Sequence, residues 1–238
     1  MKNLLSFVLV IVTIAAVCYG VYKYLLPQDN KTEYQQDFGT SAENITISAS
    51  LLNLEVKEGD SFAVEYEGSE KLCPECTYDE NSKTLSLIQP EYKPKKRQIS
   101  DENELTVYIP KNAEINVFKL VNAIGDTDLG NLKAKEVKLV IDLGSVKSEK
   151  IETGKLRVEA NLGDVKIDEC SCKDIDIVAN LGNVEIGVDG DIKNYSVGAS
   201  ASLGDIEIGS DKYSNNYVQT GSEGSIKIKC SLGNVKIK

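Results

Sequence analysis

GDVKIDECSCKDIDIVANLG, residues 163–182, places apolar or small side chains at Val165, Ile167, Cys170, Cys172, Ile175, Ile177, Ala179 and Leu181, with Lys166, Asp168, Asp174 and Asp176 between them. A period of two is the signature of strands, and it excludes helix for this stretch. The segment is also one member of a series. LGSVK, LGDVK, LGNVE, LGDIE and LGNVK begin at positions 143, 162, 181, 203 and 232.

Aligned on their glycines, Gly125, Gly144, Gly163 and Gly182 are 19 residues apart, Gly204 follows after 22, Gly224 after 20 and Gly233 after 9. A repeat near 20 residues made of short strands cannot bury its apolar face alone. It can pair in parallel with its own copies one turn up and one turn down, about 4.8 Å away. The expected fold is therefore all-β, a parallel β-helix or β-solenoid of about 19–22 residues per turn over residues 122–238, with a rod of about six rungs roughly 30 Å long. Gly125, Gly144, Gly163, Gly182, Gly204, Gly224 and Gly233 are expected at sharp corners, where positive φ carries no Cβ penalty. Gly233, so close behind Gly224, marks a truncated final turn or a hairpin-like cap. Leu143, Leu162, Leu181 and Leu203 are expected to form one inward column, and Val146, Val165, Val184 and Ile206 another. Asn161 and Asn180 suggest a short amide ladder interrupted by Asp142 and Ser202. Cys170 and Cys172 are read as small inward residues.

Residues 43–121 have strand character without the period, as in ITISAS, SFAVEYEG, TLSLIQP and LTVYIP. They predict a lead-in of antiparallel or mixed strands covering the first rung, since an open rung needs a cap. Before them, residues 27–42 read as a polar tether. Residues 4–22, LLSFVLVIVTIAAVCYGVY, carry no charge and are close to the roughly 20 residues that span a bilayer as a helix. Residues 1–26 are thus read as a single amino-terminal transmembrane anchor. A cleaved secretory signal, given Ala15, Ala16 and Gly20, and lipidation at Cys18, which would want a small residue where Val17 stands, are the alternatives. Lys2 before the run favours a carboxy-terminal domain outside the cell.

Beyond Pro27 the chain holds all 37 acidic residues and 25 of the 27 basic ones, a net charge of −12. Such a surface repels nucleic acid. There is no histidine and no tryptophan, which removes the commonest general base and a favoured sugar platform. No carboxylate column persists, because Asp164 and Asp205 align with Ser145 and Asn183. No catalytic, cofactor or metal-ligand set emerges, although a polysaccharide-active β-helix enzyme stays an alternative. Cys73 and Cys76 form CPEC in a polar, turn-like stretch and read as a structural disulfide or as two idle thiols, with redox or zinc roles less favoured. Lys93, Lys95, Lys96 and Arg97 lie in the loop KPKKR. They can touch cell-wall polymer or lipid head groups, unless Asp101, Glu102 and Glu104 simply balance a solvated loop.

The apolar amino-terminal run, the β-rich lead-in ending LTVYIPKNAEINVFKL and the recurring G-[DSN]-[VI]-[KE]-I units together resemble the bacterial DUF4097 proteins. These are described as adhesin-like and include LiaG-like members of cell-envelope stress loci. The resemblance spans roughly residues 40–238 and implies a β-solenoid surface domain, often membrane-tethered, without established enzymatic activity. It carries over no functional residue set, because the matched glycines are structural. The function it implies is a non-catalytic envelope interaction module at the bacterial cell membrane, binding cell-wall polymer, lipid or an envelope protein. Edge-to-edge self-assembly through an uncapped rung is a further alternative.

Overall fold

The computed structural model describes residues 30–39, 41–91 and 103–238. The apolar run at 4–22 and the basic cluster at 93–97 lie outside the described residues. Among those described, no helix is long and apolar enough to cross a membrane. The all-β expectation holds: 17 strands join in one continuous sheet wound around a single core.

Its centre follows the repeat. β10 (Asn131–Leu143), β11 (Val146–Leu162) and β12 (Val165–Leu181) pair in parallel, in register with the 19-residue period. β11 and β12, 17 residues each, run round nearly the whole 19-residue turn, and the next strand begins after a glycine corner. Alternation buries Val137, Leu139 and Ile141 of β10 over Leu156, Val158 and Ala160 of β11, and those over Ile175, Ile177 and Ala179 of β12. Past the corner, Val146, Val165 and Val184 form a second buried column, as expected. Cys170 and Cys172 are buried too.

The leucine column is a correction. Leu143, Leu162, Leu181 and Leu203 point outward, at 48%, 49%, 45% and 69% exposure. Strict alternation would bury them, but the chain is already turning one residue before each glycine. Asn161 and Leu162 are accordingly both exposed.

Neither end of the stack keeps sequence order. β13 (Val184–Val188) continues the coil from β12, and β14 (Tyr195–Ile208) follows. Instead of pairing with β12, β14 leaves one slot open, and the carboxy-terminal strands β16 (Gly224–Leu232) and β17 (Val235–Ile237) fill it. β16 lies between β12 and β14, and β17 between β13 and β14, all in parallel. The spatial order of corners is thus Gly163, Gly182, Gly233, Gly204. The 22-residue step from Gly182 to Gly204 supplies the extra chain needed to climb two spacings of about 4.8 Å instead of one. This order also sorts charge. Lys236 sits between Glu185 and Glu207, which would be neighbours in a stack built in sequence order, and it pairs with Glu207.

The amino-terminal end mirrors this arrangement. β2 (Asn44–Ala49) and β3 (Asn53–Gly59) lie between the outer strands β6 (Thr84–Ile88) and β7 (Glu104–Pro110) on one side and β8 (Ile115–Ile124) and β9 (Thr127–Asp128) on the other. β8 then pairs with β10 and crosses position 121, so the lead-in and the repeats share one sheet. Antiparallel strands cover both open ends: β15 (Asp211–Gln219) pairs with β14, while β4 (Ala63–Ser69) pairs with β7 and β5 (Glu75–Asp79) with β6. Such caps blunt the edge pairing that exposed strand ends invite. Part of the expected polar tether is also a strand. β1 (Lys31–Asp37) pairs antiparallel with β4, with Thr32, Tyr34 and Gln36 half-buried. Eight parallel strands, from β6 to β14, line one side of the rod and give it a length of roughly 34 Å.

Candidate functional site

The corners concentrate the ordered surface chemistry. Gly125, Gly144, Gly163, Gly182, Gly233 and Gly204 have φ between +128° and +158°, and each packs against the backbone carbonyl of the previous corner in the spatial stack. A Cβ added to Gly163 would lie 2.1 Å from the Gly144 oxygen. Glycine is needed here for both torsion and room. Gly224 differs from expectation: its φ is not positive, and it opens β16 level with Tyr195 instead of turning a corner. The corner of the last rung is Gly233.

The residue after each corner glycine builds a continuous ladder. The backbone N–H of Asp126 donates to Asn53 Oδ1 (3.0 Å), that of Ser145 to Asp126 Oδ1 (2.8 Å), and that of Asp164 to Ser145 Oγ (3.4 Å). Asn183 N–H donates to Asp164 Oδ1 (2.6 Å), Asn234 N–H to Asn183 Oδ1 (3.0 Å), and Asp205 N–H to Asn234 Oδ1 (2.9 Å). Every corner therefore satisfies a donor that sharp turning would otherwise orphan. On the other side of the leucines, Asn180 Nδ2 donates to Asn161 Oδ1 (2.6 Å) and Asn161 Nδ2 to Asp142 Oδ1 (2.7 Å). Asp142 therefore ends this short ladder as its acceptor, in place of the interruption expected there.

Between the two ladders runs a ridge. Ile124, Leu143, Leu162, Leu181, Leu232 and Leu203 occupy one register position on successive rungs, and all the leucines from 143 onward are exposed. Sequence reasoning alone puts this ridge inside. The available signal is the polar residue directly before each motif leucine, which breaks the period of two. A second feature missed from sequence lies on the adjoining sheet face: Lys119, Lys138 and Arg157 stand side by side on β8, β10 and β11. Their 19-residue spacing is visible once register is known.

The remaining expected site residues do not converge. Cys73 and Cys76 are free thiols beside Tyr34. Burial, helped by the neighbouring Cys73, pushes the Cys76 thiol up to about 11. In the reduced protein, Cys76 alkylation by iodoacetamide should therefore be slow at pH 8 and should keep rising about tenfold per pH unit up to pH about 11, because only the thiolate reacts. A denatured chain should level off near 9, the ordinary thiol value. Peptide mapping of the alkylated protein reads both, and a native plateau near 9 would contradict the burial argument. The same raised value favours the folded state below pH 9, and that contribution is lost as pH rises toward 11. Cys170 is pushed up by its hydrogen bond with Cys172 and by burial, which makes it a poor nucleophile. Lys93, Lys95, Lys96 and Arg97 fall outside the described residues. Among the described residues no group of three or more His, Cys, Asp or Glu is placed to hold a metal ion.

Threaded parallel rungs, glycine corners backed by a side-chain ladder, and antiparallel caps define an all-β strand-repeat protein. The model of the Toastrack DUF4097 family matches residues 42–238, and the chain belongs to that family. Among solved structures it is similar to a proposed cell adhesion protein from Clostridium sporogenes, with 17% identity, a TM-score of 0.55 and coverage of 88% of this chain and 99% of that one. It also matches a proposed adhesin from Bacteroides fragilis (14% identity, TM-score 0.35, 90% and 100% coverage) and one from Parabacteroides merdae (8%, 0.40, 88% and 96%). None of these is described as an enzyme. No curated protein matches the chain.

Proposed function

We infer that this protein is a non-catalytic envelope module: a β-solenoid rod, tethered by residues 4–22 to the bacterial cell membrane and held on its outer side, that presents a repeating surface to an envelope component. The observation that carries the reading is the form of the surface. Ionisable groups are dispersed in columns of mixed sign, with Asp128 bound to Lys147 at 2.9 Å and Lys150 to Glu169 at 2.7 Å; where Asp164, Lys166, Glu185, Glu207, Lys212 and Lys236 line one concavity, it is open to solvent and its charges pair with one another, Lys236 with Glu207 and Lys238 with Glu185. Enzyme sites concentrate perturbed groups in a concavity, whereas solenoids use extended faces for binding. Membership of the family and a fold shared with a proposed cell adhesion protein support an adhesin-like role. Lys93, Lys95, Lys96 and Arg97 are a candidate contact for anionic polymer or lipid, and Cys73 with Cys76 a candidate disulfide.

Protease accessibility on intact cells, with a wall-stripped control, tests the placement. Digestion of the carboxy-terminal domain from outside is expected. Protection that persists after the wall is removed would overturn it and make a cytoplasmic scaffold the leading reading.

A further inference from the structure

The acidic excess of the domain is unevenly spread. From the leucine ridge across the outward positions of the adjoining sheet face, the register aligns four rows. Beside the ridge lies the row of Asp142, Asn161 and Asn180. The next contains Val121, Val140 and Val178, with Val121 36% exposed and Ile88, at the end of the same row, 55% exposed. The last is led by Lys119, Lys138 and Arg157, none of which forms an ion pair among the described residues. Lys227 and Lys229 add to these rows, and Asp142, Glu159 and Asp176 are their acids. On the sheet side of the ridge five bases thus face three acids, in a domain whose net charge is −12, while the exposed Asp126, Asp164 and Asp205 stand on its corner side.

An apolar ridge, a short amide row ending at Asp142, a row of valines broken by Glu159, and a row led by Lys119, Lys138 and Arg157 and followed by Asp176 and Lys227 fit a lipid interface, with the ridge at the acyl boundary and the bases at the phosphates. The five exposed leucines are four strand spacings apart from end to end, about 19 Å. The ridge is one side chain wide, which falls short of the about 800 Å² per partner that a stable protein interface buries. A second copy is therefore a poorer occupant than a flat, extended surface. The chain also places such a surface within reach. The apolar run ends at Tyr22 and β1 begins at Lys31, so the residues between can extend at most about 29 Å. Tethering of this kind raises the effective concentration of a weak contact into the mM range.

We propose that the rod lies lengthwise on the bilayer, with the Leu143, Leu162, Leu181, Leu232 and Leu203 ridge in the interface and Lys119, Lys138 and Arg157 at lipid phosphates. This rests on the reading of residues 4–22 as an anchor. The chain contains no tryptophan, so one introduced indole is an unambiguous reporter. Leu143→Trp, Leu162→Trp, Leu203→Trp and, on another face, Lys173→Trp are made in the full chain and reconstituted in vesicles containing bromine-labelled acyl chains. The three ridge reporters should lose about twofold or more of their emission, to similar extents, while Lys173→Trp keeps its own. Replacing Lys119, Lys138 and Arg157 by Glu should reduce that loss without touching the ridge, and circular dichroism checks that each variant folds. Quenching that fades from Leu143→Trp to Leu203→Trp describes an upright rod and overturns the proposal. So does an anchored chain with unquenched ridge reporters, whether monomeric or self-associated by sedimentation. Extraction of the chain from vesicles by alkaline carbonate would instead overturn the anchor reading, and the proposal with it.

Discussion

Gly163→Ala should come close to abolishing cooperative folding of the full chain. At φ +142° an L-residue is strained by about 1–2 kcal/mol. The larger effect is steric. The added methyl carbon would sit 2.1 Å from the Gly144 carbonyl oxygen and 2.5 Å from its carbon, both of them backbone atoms fixed by parallel pairing on either side. Relief requires the two rungs to separate locally, which breaks the donations from Gly144 N–H to Leu162 O (2.9 Å) and from Val146 N–H to Asp164 O (2.8 Å) and opens the tightly packed valine column beside them. We expect a loss above about 4 kcal/mol, a large share of the roughly 5–15 kcal/mol that usually holds a domain together. Two other glycines separate the causes. Gly190 has φ +101° but open space where a Cβ would stand, so Gly190→Ala should show the torsional cost alone, about 1–2 kcal/mol. Gly198 has neither problem and lies within a strand, so alanine there should be neutral or stabilising by up to about 1 kcal/mol. Urea midpoints of the three variants give the ranking. Equal shifts for Gly163→Ala and Gly190→Ala would remove the close-approach argument.

The sequence repeat makes much of this site legible, and its limits are physical. Gly144, Gly163 and Gly182 declare themselves by spacing, and the strand period places Val146, Val165 and Val184 inside. Periodicity fails where the chain bends, because the strand-like alternation of sides no longer holds there. Leu162 is assigned inward on paper and stands outward in space for that reason. Slot order is harder to read, because a parallel rung pairs equally well with any rung of matching register. Lys236 between Glu185 and Glu207, and the 22-residue step to Gly204, are the traces of threading. They acquire meaning only once a skipped slot is considered. Gly224 looks like a corner only under the same assumption, that rungs stack in chain order. The row of Lys119, Lys138 and Arg157 needs the register itself, since only pairing tells which residues 19 apart share a face.

Threading predicts that the carboxy terminus is the worst place to shorten this chain. In a solenoid stacked in sequence order, losing the last turn removes one interface and leaves the remainder standing. Here the last turn is internal. Ending the chain at Gly221 removes β16 and β17, whose Ile226, Ile228, Val235 and Ile237 are almost wholly buried, and it unpairs β12, β13 and β14 together. β14 would be left attached to the rod through residues 189–194 and to β15 alone among its sheet partners. The vacated slot could close only by bringing β14 down onto β12 and β13, which places Glu207 directly against Glu185 with no lysine between them. Hydrogen exchange on the full-length and shortened chains reads the outcome. Protection should vanish through Tyr195–Ile208 and also fall in Val165–Leu181, a strand from which nothing has been deleted. Adding Glu207→Lys to the shortened chain should restore part of the lost protection, because it replaces the one like-charge contact that opposes closure. Full protection of Val165–Leu181 in the shortened chain without that substitution would mean the order of rungs contributes nothing to holding the fold, and the interlocked end would have to be given up as a source of its stability.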